Sequence, residues 1–248
     1  MQQLLPSPRP AELGDLYAGL TLPTSGEACW VAVCMVASLD GAASLDGRSG
    51  GLGSDADRLA LRRLRDAADA VLVGAATVRE EGYGPLTGDS SRRAGRVARG
   101  LAGIPRLAIL TISGELDPDA AVFSDPEQRP LVLTTTDGAA VAGPRLGERA
   151  EVVALGTRRV APGDVLAHLG SLGLHRVACE GGPRINAQVL AEDLADEVFL
   201  TLAPVTVAGQ APRIAQGPGT QTLRRLRLVS LWEHEGELFL RYRHARHR

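Results

Sequence analysis

The run His175–Val207, HRVACEGGPRINAQVLAEDLADEVFLTLAPVTV, sets the reading of the whole chain. Its first part, HRVACEGG, is a short apolar run closed by two glycines: a buried strand, then a tight turn. PRINAQVLAEDL opens with Pro183 near a first helical position, where a missing N–H is harmless. DEVFLTLAPVTV is another strand. Strand, glycine turn, helix, strand is the repeating unit of a parallel sheet with crossover helices.

The same rhythm extends upstream. WVAVCMVASLDG is a buried strand from Trp30 to Ala37 closed by the turn residues Asp40 and Gly41. A glycine-rich loop follows over 41–53, where the backbone must turn sharply or approach something closely. Ser54 or Asp55 caps a helix to about Asp66, with Leu59, Leu61 and Leu64 as its apolar candidates. DAVLVG (69–74) is a strand and AATVREEG (75–82) a short helix. Residues 84–103 read as a long surface loop. Strand-like runs recur at 104–111, 129–136 and 150–156, and 162–172 suits a helix. Downstream, LRRLRLVSLWEHEGELFLRYRH alternates on both sides of Glu235-Gly236, a hairpin with antiparallel strands. The fold expected is α/β, with a mixed, mostly parallel central sheet flanked by helices and a C-terminal antiparallel hairpin. Residues 1–27 read as an irregular N-terminal arm pinned by Leu13, Leu16 and Tyr17, and 28–248 as one domain.

Composition removes several classes of function. The chain has 248 residues, and its 27 Lys+Arg residues are all arginine. A Walker phosphate loop, a Schiff-base enzyme and a Ser-Lys hydrolase each require an ε-amine. A net charge of −2 with scattered arginines gives no basic face for nucleic acid. Cys29, Cys34 and Cys179 form no CxxC pair, which points to a reducing compartment. No signal peptide or membrane-spanning run is evident, so the expectation is a cytoplasmic protein with no membrane partner. The five histidines show no metal-ligand spacing, and His244 and His247 sit in a basic tail read as solvated. There is no GxSxG elbow for a serine hydrolase.

Two strand-to-helix turns carry the chemistry. At Val177-Ala-Cys-Glu180-Gly181-Gly182-Pro183-Arg184 the N-terminal amides of a helix point back at a strand end, where glycines let an anion such as a pyrophosphate touch the backbone. The spacing is not GxGxxG, which disfavours a standard Rossmann domain. At Val71-Leu-Val-Gly74-Ala-Ala-Thr77 a second turn of the same kind occurs, and two such turns make a ligand crevice at the strand carboxyl ends more plausible.

The ordered series ASLDG (37–41), Ser49 in its glycine loop, LRD (64–66), DAVLVGAATV (69–78), EGGP (180–183) and LAPVTVAG (202–209) resembles the reductase domain of riboflavin biosynthesis, in particular its stand-alone pyrimidine reductase branch. That resemblance implies a dihydrofolate-reductase-like fold over about 28–243. It also implies an NADPH-dependent reduction of the ribosylamino group of an aminouracil phosphate to a ribitylamino group, and a homodimer. Residue by residue, it places Ala37, Thr77 and Glu81 along the NADPH site and Gly181, Gly182, Pro183 and Arg184 at its pyrophosphate. Ser49 and Arg65 fall at positions touching the phosphoribosyl portion of the substrate, and Glu180 at one reaching its polar end. Asp40 reads either as a turn residue or as a reacting group. For the coenzyme 2′-phosphate, Thr111, Ser113 and Thr134 to Thr136 stand as candidates. The exposed edge of the C-terminal hairpin is the expected pairing surface.

The chain also departs from the family pattern. Cys34 stands where many members have lysine, and Gly51 where an aromatic residue lies near the nicotinamide. Segment 80–89, EEGYGPLTGD, lacks the usual phosphate-binding arginine, for which Arg92, Arg93 or Arg96 are substitutes. The zinc deaminase half of bifunctional relatives, with its His-x-Glu and PCxxC, is absent. Two alternatives follow: reduction of another pterin-like heterocycle, or a nucleotide-binding paralogue without turnover.

Overall fold

The computed structural model describes residues 1–24, 26, 28–217 and 223–245. They divide into two compact units. The first comprises Met1–Thr21, Val31–Leu64 and Cys179–Arg248, and the second Leu22–Trp30 and Arg65–Ala178.

In the first unit the strands run in the order β2 (Arg9–Pro10), β1 (Gln2–Leu5), β10 (Leu226–His234), β11 (Glu237–His244), β9 (Glu197–Ala203), β3 (Trp30–Ser38). β3 and β9 are parallel, with Cys34 beside Phe199 and Ala37 beside Leu202, and every other pair is antiparallel. The hairpin is the one the alternation predicts: Glu235 (φ 51°) and Gly236 (φ 83°) make its two-residue turn, and His234 faces Glu237. Its outer strand is not an open edge. β1 pairs with β10, and β2, ending on Pro10, lies outside β1. The pairing surface expected there is therefore already covered, and the short proline-bearing strand blunts what is left. The N-terminal segment thus contributes strands rather than an irregular arm; Leu16 (0%) and Tyr17 (8%) are buried as expected, and Leu13 is half-exposed.

Helix α1 (Asp55–Ala67) starts where Ser54 caps it, the hydroxyl accepting from the Ala56 (3.0 Å) and Asp57 (3.4 Å) amides. Its buried stripe is Ala56, Ala60, Leu64 and Ala67, while Leu59 and Leu61 stay half-exposed. Small residues on the inner face let the helix sit close, a detail that leucine spacing does not reveal. Helix α6 (Pro183–Ala191) begins at Pro183 as read from the sequence.

In the second unit the order is β8 (Arg176–Cys179), β4 (Ala70–Gly74), β5 (Arg106–Leu110), β6 (Leu131–Thr135), β7 (Glu151–Gly156), and β4 to β7 are parallel. Val71, Val73, Leu107, Ile109, Val132 and Leu133 are fully buried, as continuous apolar runs in a two-sided parallel sheet require. Asp69 ties the strand starts together, its carboxylate taking the Arg176 amide (2.8 Å) and guanidinium (3.0 Å). The connections are α2 (Ala75–Glu81), α3 (Ser90–Val97), α4 (Thr136–Leu146) and α5 (Pro162–Ser171). α3 lies inside the stretch read as a loop. Asp89 caps it through the Arg92 amide (2.8 Å), and Arg96, 1% exposed, anchors it. A helix held by a buried arginine has no apolar stripe to betray it. Among the described residues no helix is long and apolar enough to cross a membrane.

Candidate active site

In the first unit the end of β8 and the start of α6 form a glycine-opened strand-to-helix turn. Cys179 is fully buried; burial pushes its thiol up to about 12, against the Gly181 amide that donates to its sulfur. Gly181 has φ +80°, and its peptide bond to Gly182 is cis. A Cβ on Gly181 would meet the Asn186 side-chain nitrogen at 3.1 Å. Gly182 is the N-cap of α6, and the first helical bonds run from Ile185 (3.0 Å) and Asn186 (3.1 Å) to its carbonyl. The Gly182 and Arg184 amides precede those bonds and face the helix end, and Pro183 has none to offer. Glu180, 6% exposed, sits immediately before the turn. The segment after β9 clasps this helix start: Asn186 donates to the Ile214 carbonyl (2.8 Å) and the Gln216 amide to that of Pro183 (3.0 Å). Arg184, Gln188, Gln216 and Gly217 line a cavity of about 290 Å³ there.

Two motifs distant in sequence meet at the end of β3. The Asp40 carboxylate accepts from the Ser38 hydroxyl (2.5 Å) and from the amides of Ala208 (2.6 Å) and Val207 (3.1 Å). These bonds, the Ser38 hydroxyl first, hold its carboxyl down at about 2. Leu39 donates to the Val205 carbonyl (2.9 Å), Ala43 to that of Pro212 (2.8 Å), and Leu52 packs on Val36, Ala203 and Val207. SLDG and LAPVTVAG are therefore one latched structure, and Asp40 is its latch. Ser49 is half-buried in this loop, its carbonyl accepting from the Leu52 amide (2.9 Å). Ala37 is 5% exposed on β3.

Sequence reasoning missed the charged groups beneath this loop. Glu237, 4% exposed, accepts from the Ser54 amide (3.1 Å) and from its hydroxyl, fixing the start of α1 to β11. Asp57 is raised above the usual carboxylate range, first by burial and then by Glu237, against a hydrogen bond from Thr201. Fully buried Glu197 takes both Arg241 (2.9 Å) and Arg243 (2.7 Å). Strand alternation puts Cys34 and Ala37 on opposite faces of β3. Cys34 shares its face with Phe199 and Arg241 and lies beside Tyr17, whose hydroxyl is pushed up by burial and then by Cys34. Arg241 lies on the same face as Cys34, away from Ala37, with its charge taken by Glu197. Only register across three strands could show this.

The remaining predicted residues, Arg65, Thr77 and Glu81, lie in the second unit. Thr77 and Glu81 are half-buried on α2, which follows Gly74 directly. The Arg65 guanidinium lies 5.4 Å over the Tyr83 ring. The three proposed substitutes for the missing arginine are otherwise engaged. Arg92 pairs with Asp66 (2.7 Å), Arg93 with Glu127 (2.8 Å), and Arg96 is buried on the carbonyls of Arg65 (2.7 Å) and Ala102 (2.8 Å). Of the 2′-phosphate candidates, Thr111, Thr134 and Thr135 are buried; Thr135 caps α4 through the Gly138 amide (3.0 Å). Ser113 and Thr136 are exposed. In the basic tail, His244 lies 2.9 Å from the Asp193 carboxylate rather than in solvent, and His247 lies outside the described residues.

Glycine-opened strand-to-helix turns after β8 and after β4 are the features shared with α/β proteins whose ligands lie at strand carboxyl ends. The chain belongs to the RibD C-terminal domain family, whose model matches residues 29–240. It is 31% identical over 191 residues to the 2,5-diamino-6-ribosylamino-4(3H)-pyrimidinone 5′-phosphate reductase of Methanothermobacter thermautotrophicus, covering 73% of this chain and 83% of that protein. A protein of the same name from Archaeoglobus fulgidus is 26% identical over 212 residues, 85% and 95% of the two chains. Among solved structures, a pyrimidine reductase-like protein from Corynebacterium diphtheriae superposes with a TM-score of 0.81 at 30% identity, covering 94% of this chain and 98% of its own.

Proposed function

We propose that this protein is an NADPH-dependent reductase of riboflavin biosynthesis, acting on 5-amino-6-(5-phosphoribosylamino)uracil to give the ribitylamino compound. The observation that carries the reading is the start of α6. Gly181 and Gly182 present bare backbone at the end of a buried strand, with Gly182 as the N-cap of α6, and a methyl on the first would crowd a buried asparagine. That surface fits a pyrophosphate. The bound coenzyme would supply hydride from its nicotinamide C4 to C1′ of the ring-opened substrate. The protein binds, orients and excludes water. Gly181, Gly182, Pro183 and Arg184 hold the linked phosphates, and Ala37 leaves room for the flat ring, with Thr77 and Glu81 lining its site. Arg65 meets the substrate phosphate with its planar fork, Ser49 its ribose, and Glu180 its polar pyrimidine end. Ser113 and Thr136 are the exposed hydroxyls among the 2′-phosphate candidates, and Thr136 donates to the Gly156 carbonyl (3.3 Å).

The family match at 29–240 supports residues 28–248 as the reductase domain, to whose sheet the N-terminal segment adds β1 and β2. Three cysteines without a CxxC pair support a cytoplasmic location for it. A homodimer belongs to the same proposal. With the hairpin edge taken by β1, the surface left for it is the sheet face bearing Leu200, Leu202, Leu231, Leu238, Leu240 and Tyr242, all half-buried in the single chain. Light scattering of a monomer at micromolar concentration would remove it.

The names of the curated relatives favour a second substrate, the 2,5-diaminopyrimidinone counterpart, which differs from the aminouracil at ring C2. The deciding experiment follows NADPH oxidation at 340 nm with each phosphate in turn, and with NADH. Faster turnover of the aminouracil phosphate with NADPH is expected. Turnover of neither, with NADPH still bound, would leave a nucleotide-binding protein of another function.

A further inference from the structure

Arg65 lies in the last turn of α1, where two guanidinium groups from the neighbouring helix and the residues just after it hold the backbone and a third holds the Asp66 side chain. Arg96 donates to the Arg65 carbonyl (2.7 Å), Arg99 to the Asp66 carbonyl (3.0 Å), and Arg92 pairs with the Asp66 carboxylate (2.7 Å). Helix-end carbonyls left over at a C-terminus are where such donors belong. These bonds fix where the Arg65 backbone is. They do not fix where its guanidinium points.

Tyr83 lies under the guanidinium itself. Helix α2 ends on Gly82 in the left-handed region (φ +63°), and both the Gly82 amide and the Tyr83 amide (3.0 Å) return to the Val78 carbonyl. This is a Schellman turn, and it reverses the chain so that the next side chain folds back beside the helix. The side chain is an aromatic ring, and the Arg65 guanidinium lies over it at 5.4 Å, inside the range of a cation–π contact. Both residues are half-buried, so the pair is neither sealed in the core nor loose in solvent. The segment 80–89 contains no arginine. It delivers a platform for an arginine that another helix supplies.

Resting on the reading of Arg65 as the group that meets the substrate phosphate, we infer that Tyr83 is a positioning residue for phosphate recognition. The ring holds the planar guanidinium in one orientation, so that its fork meets a phosphomonoester without first having to be ordered. Tyr83 acts through Arg65 and touches neither of the reacting atoms. The requirement is for an aromatic face, not for the hydroxyl.

The test uses full-length Tyr83→Leu, Tyr83→Phe and Arg65→Gln, assayed with the aminouracil phosphate and with its dephosphorylated riboside. Tyr83→Leu is expected to raise KM for the phosphate about 2- to 5-fold, the loss of one partly exposed cation–π contact, with kcat unchanged. It should leave kcat/KM for the riboside alone, and Tyr83→Phe should match the parent on both. In the Arg65→Gln background, Tyr83→Leu should add nothing. If Arg65→Gln raises KM and Tyr83→Leu does not, the role of Tyr83 is refuted and that of Arg65 stands. If Arg65→Gln changes neither substrate, the reading of Arg65 falls and the inference with it. An equal loss on both substrates makes Tyr83 merely structural and also refutes it. Should Tyr83→Leu fail to fold, Tyr83→Gln replaces it under the same criteria.

Discussion

Replacing Gly181 with alanine tests the proposed anion cradle and the fold around it in one measurement. At φ +80° an alanine pays for its Cβ, about 1–2 kcal/mol in the left-handed region. The new methyl also sits 3.1 Å from the Asn186 nitrogen. Asn186 is fully buried and donates to the Ile214 carbonyl at 2.8 Å, so it yields only by weakening that bond, a further loss of about 1 kcal/mol. The sum, about 2–3 kcal/mol, lowers the melting temperature by about 4–12 °C for a chain of this size. The methyl further covers backbone on which the coenzyme's phosphates are proposed to rest. Losing one hydrogen bond to a charged group is worth about 1.5–3 kcal/mol, so the Kd for NADPH should rise at least about tenfold. Scanning calorimetry with and without NADPH, together with titration calorimetry, reads both effects. A fall in melting temperature with unchanged coenzyme affinity would show that Gly181 serves the turn alone and that the phosphates lie elsewhere. No change in either would refute the geometric argument itself.

Other consequences follow from the buried charges and thiols. Glu197→Gln leaves Arg241 and Arg243 facing an uncharged group; because both arginines keep some solvent contact, the cost falls at the low end for a broken buried pair, about 3 kcal/mol. Urea unfolding showing a loss below about 1 kcal/mol would contradict this. Asp57 holds its proton above the ordinary 3.8 in the folded chain, so the unfolded chain ionises first and stability is lost as pH rises from that value through the folded one. Asp57→Asn should therefore gain on the parent as pH rises above 3.8, and a gap that moves the other way in pH-dependent urea melts would reverse the sign of the argument. Cys179, fully buried with its thiol at about 12, should resist iodoacetamide in the native protein and react in urea. Native labelling detected there by peptide mass spectrometry would overturn its burial.

Much of the fold was legible because a strand buried on both faces must be apolar throughout and a helix must begin on a residue that caps it. β3, β4, β8 and α6 are found that way. The hairpin was legible because period-two alternation on both sides of Glu235-Gly236 has no helical counterpart. Helix α3 was not, since a buried arginine holding carbonyls looks, in sequence, like any surface arginine. The candidate site divides in the same manner. Glycines before a helix announce an anion site through backbone chemistry alone, so Gly181 and Gly182 stood out. Partners of Asp40, Glu237 and Arg65 lie 167, 183 and 31 positions away, and no local pattern encodes them.

The order of residues by itself determined the alternation of strands and helices, the reductase family and the glycine-opened start of α6, because each depends on neighbours within one turn or one strand. Only the tertiary structure decided that the N-terminal segment closes the hairpin edge, that Arg241 stands on the face where position 34 lacks a cation, and that Tyr83 lies under Arg65. These are contacts between side chains that meet through strand register and chain reversal, and register is fixed by burying whole faces at once rather than by any one residue.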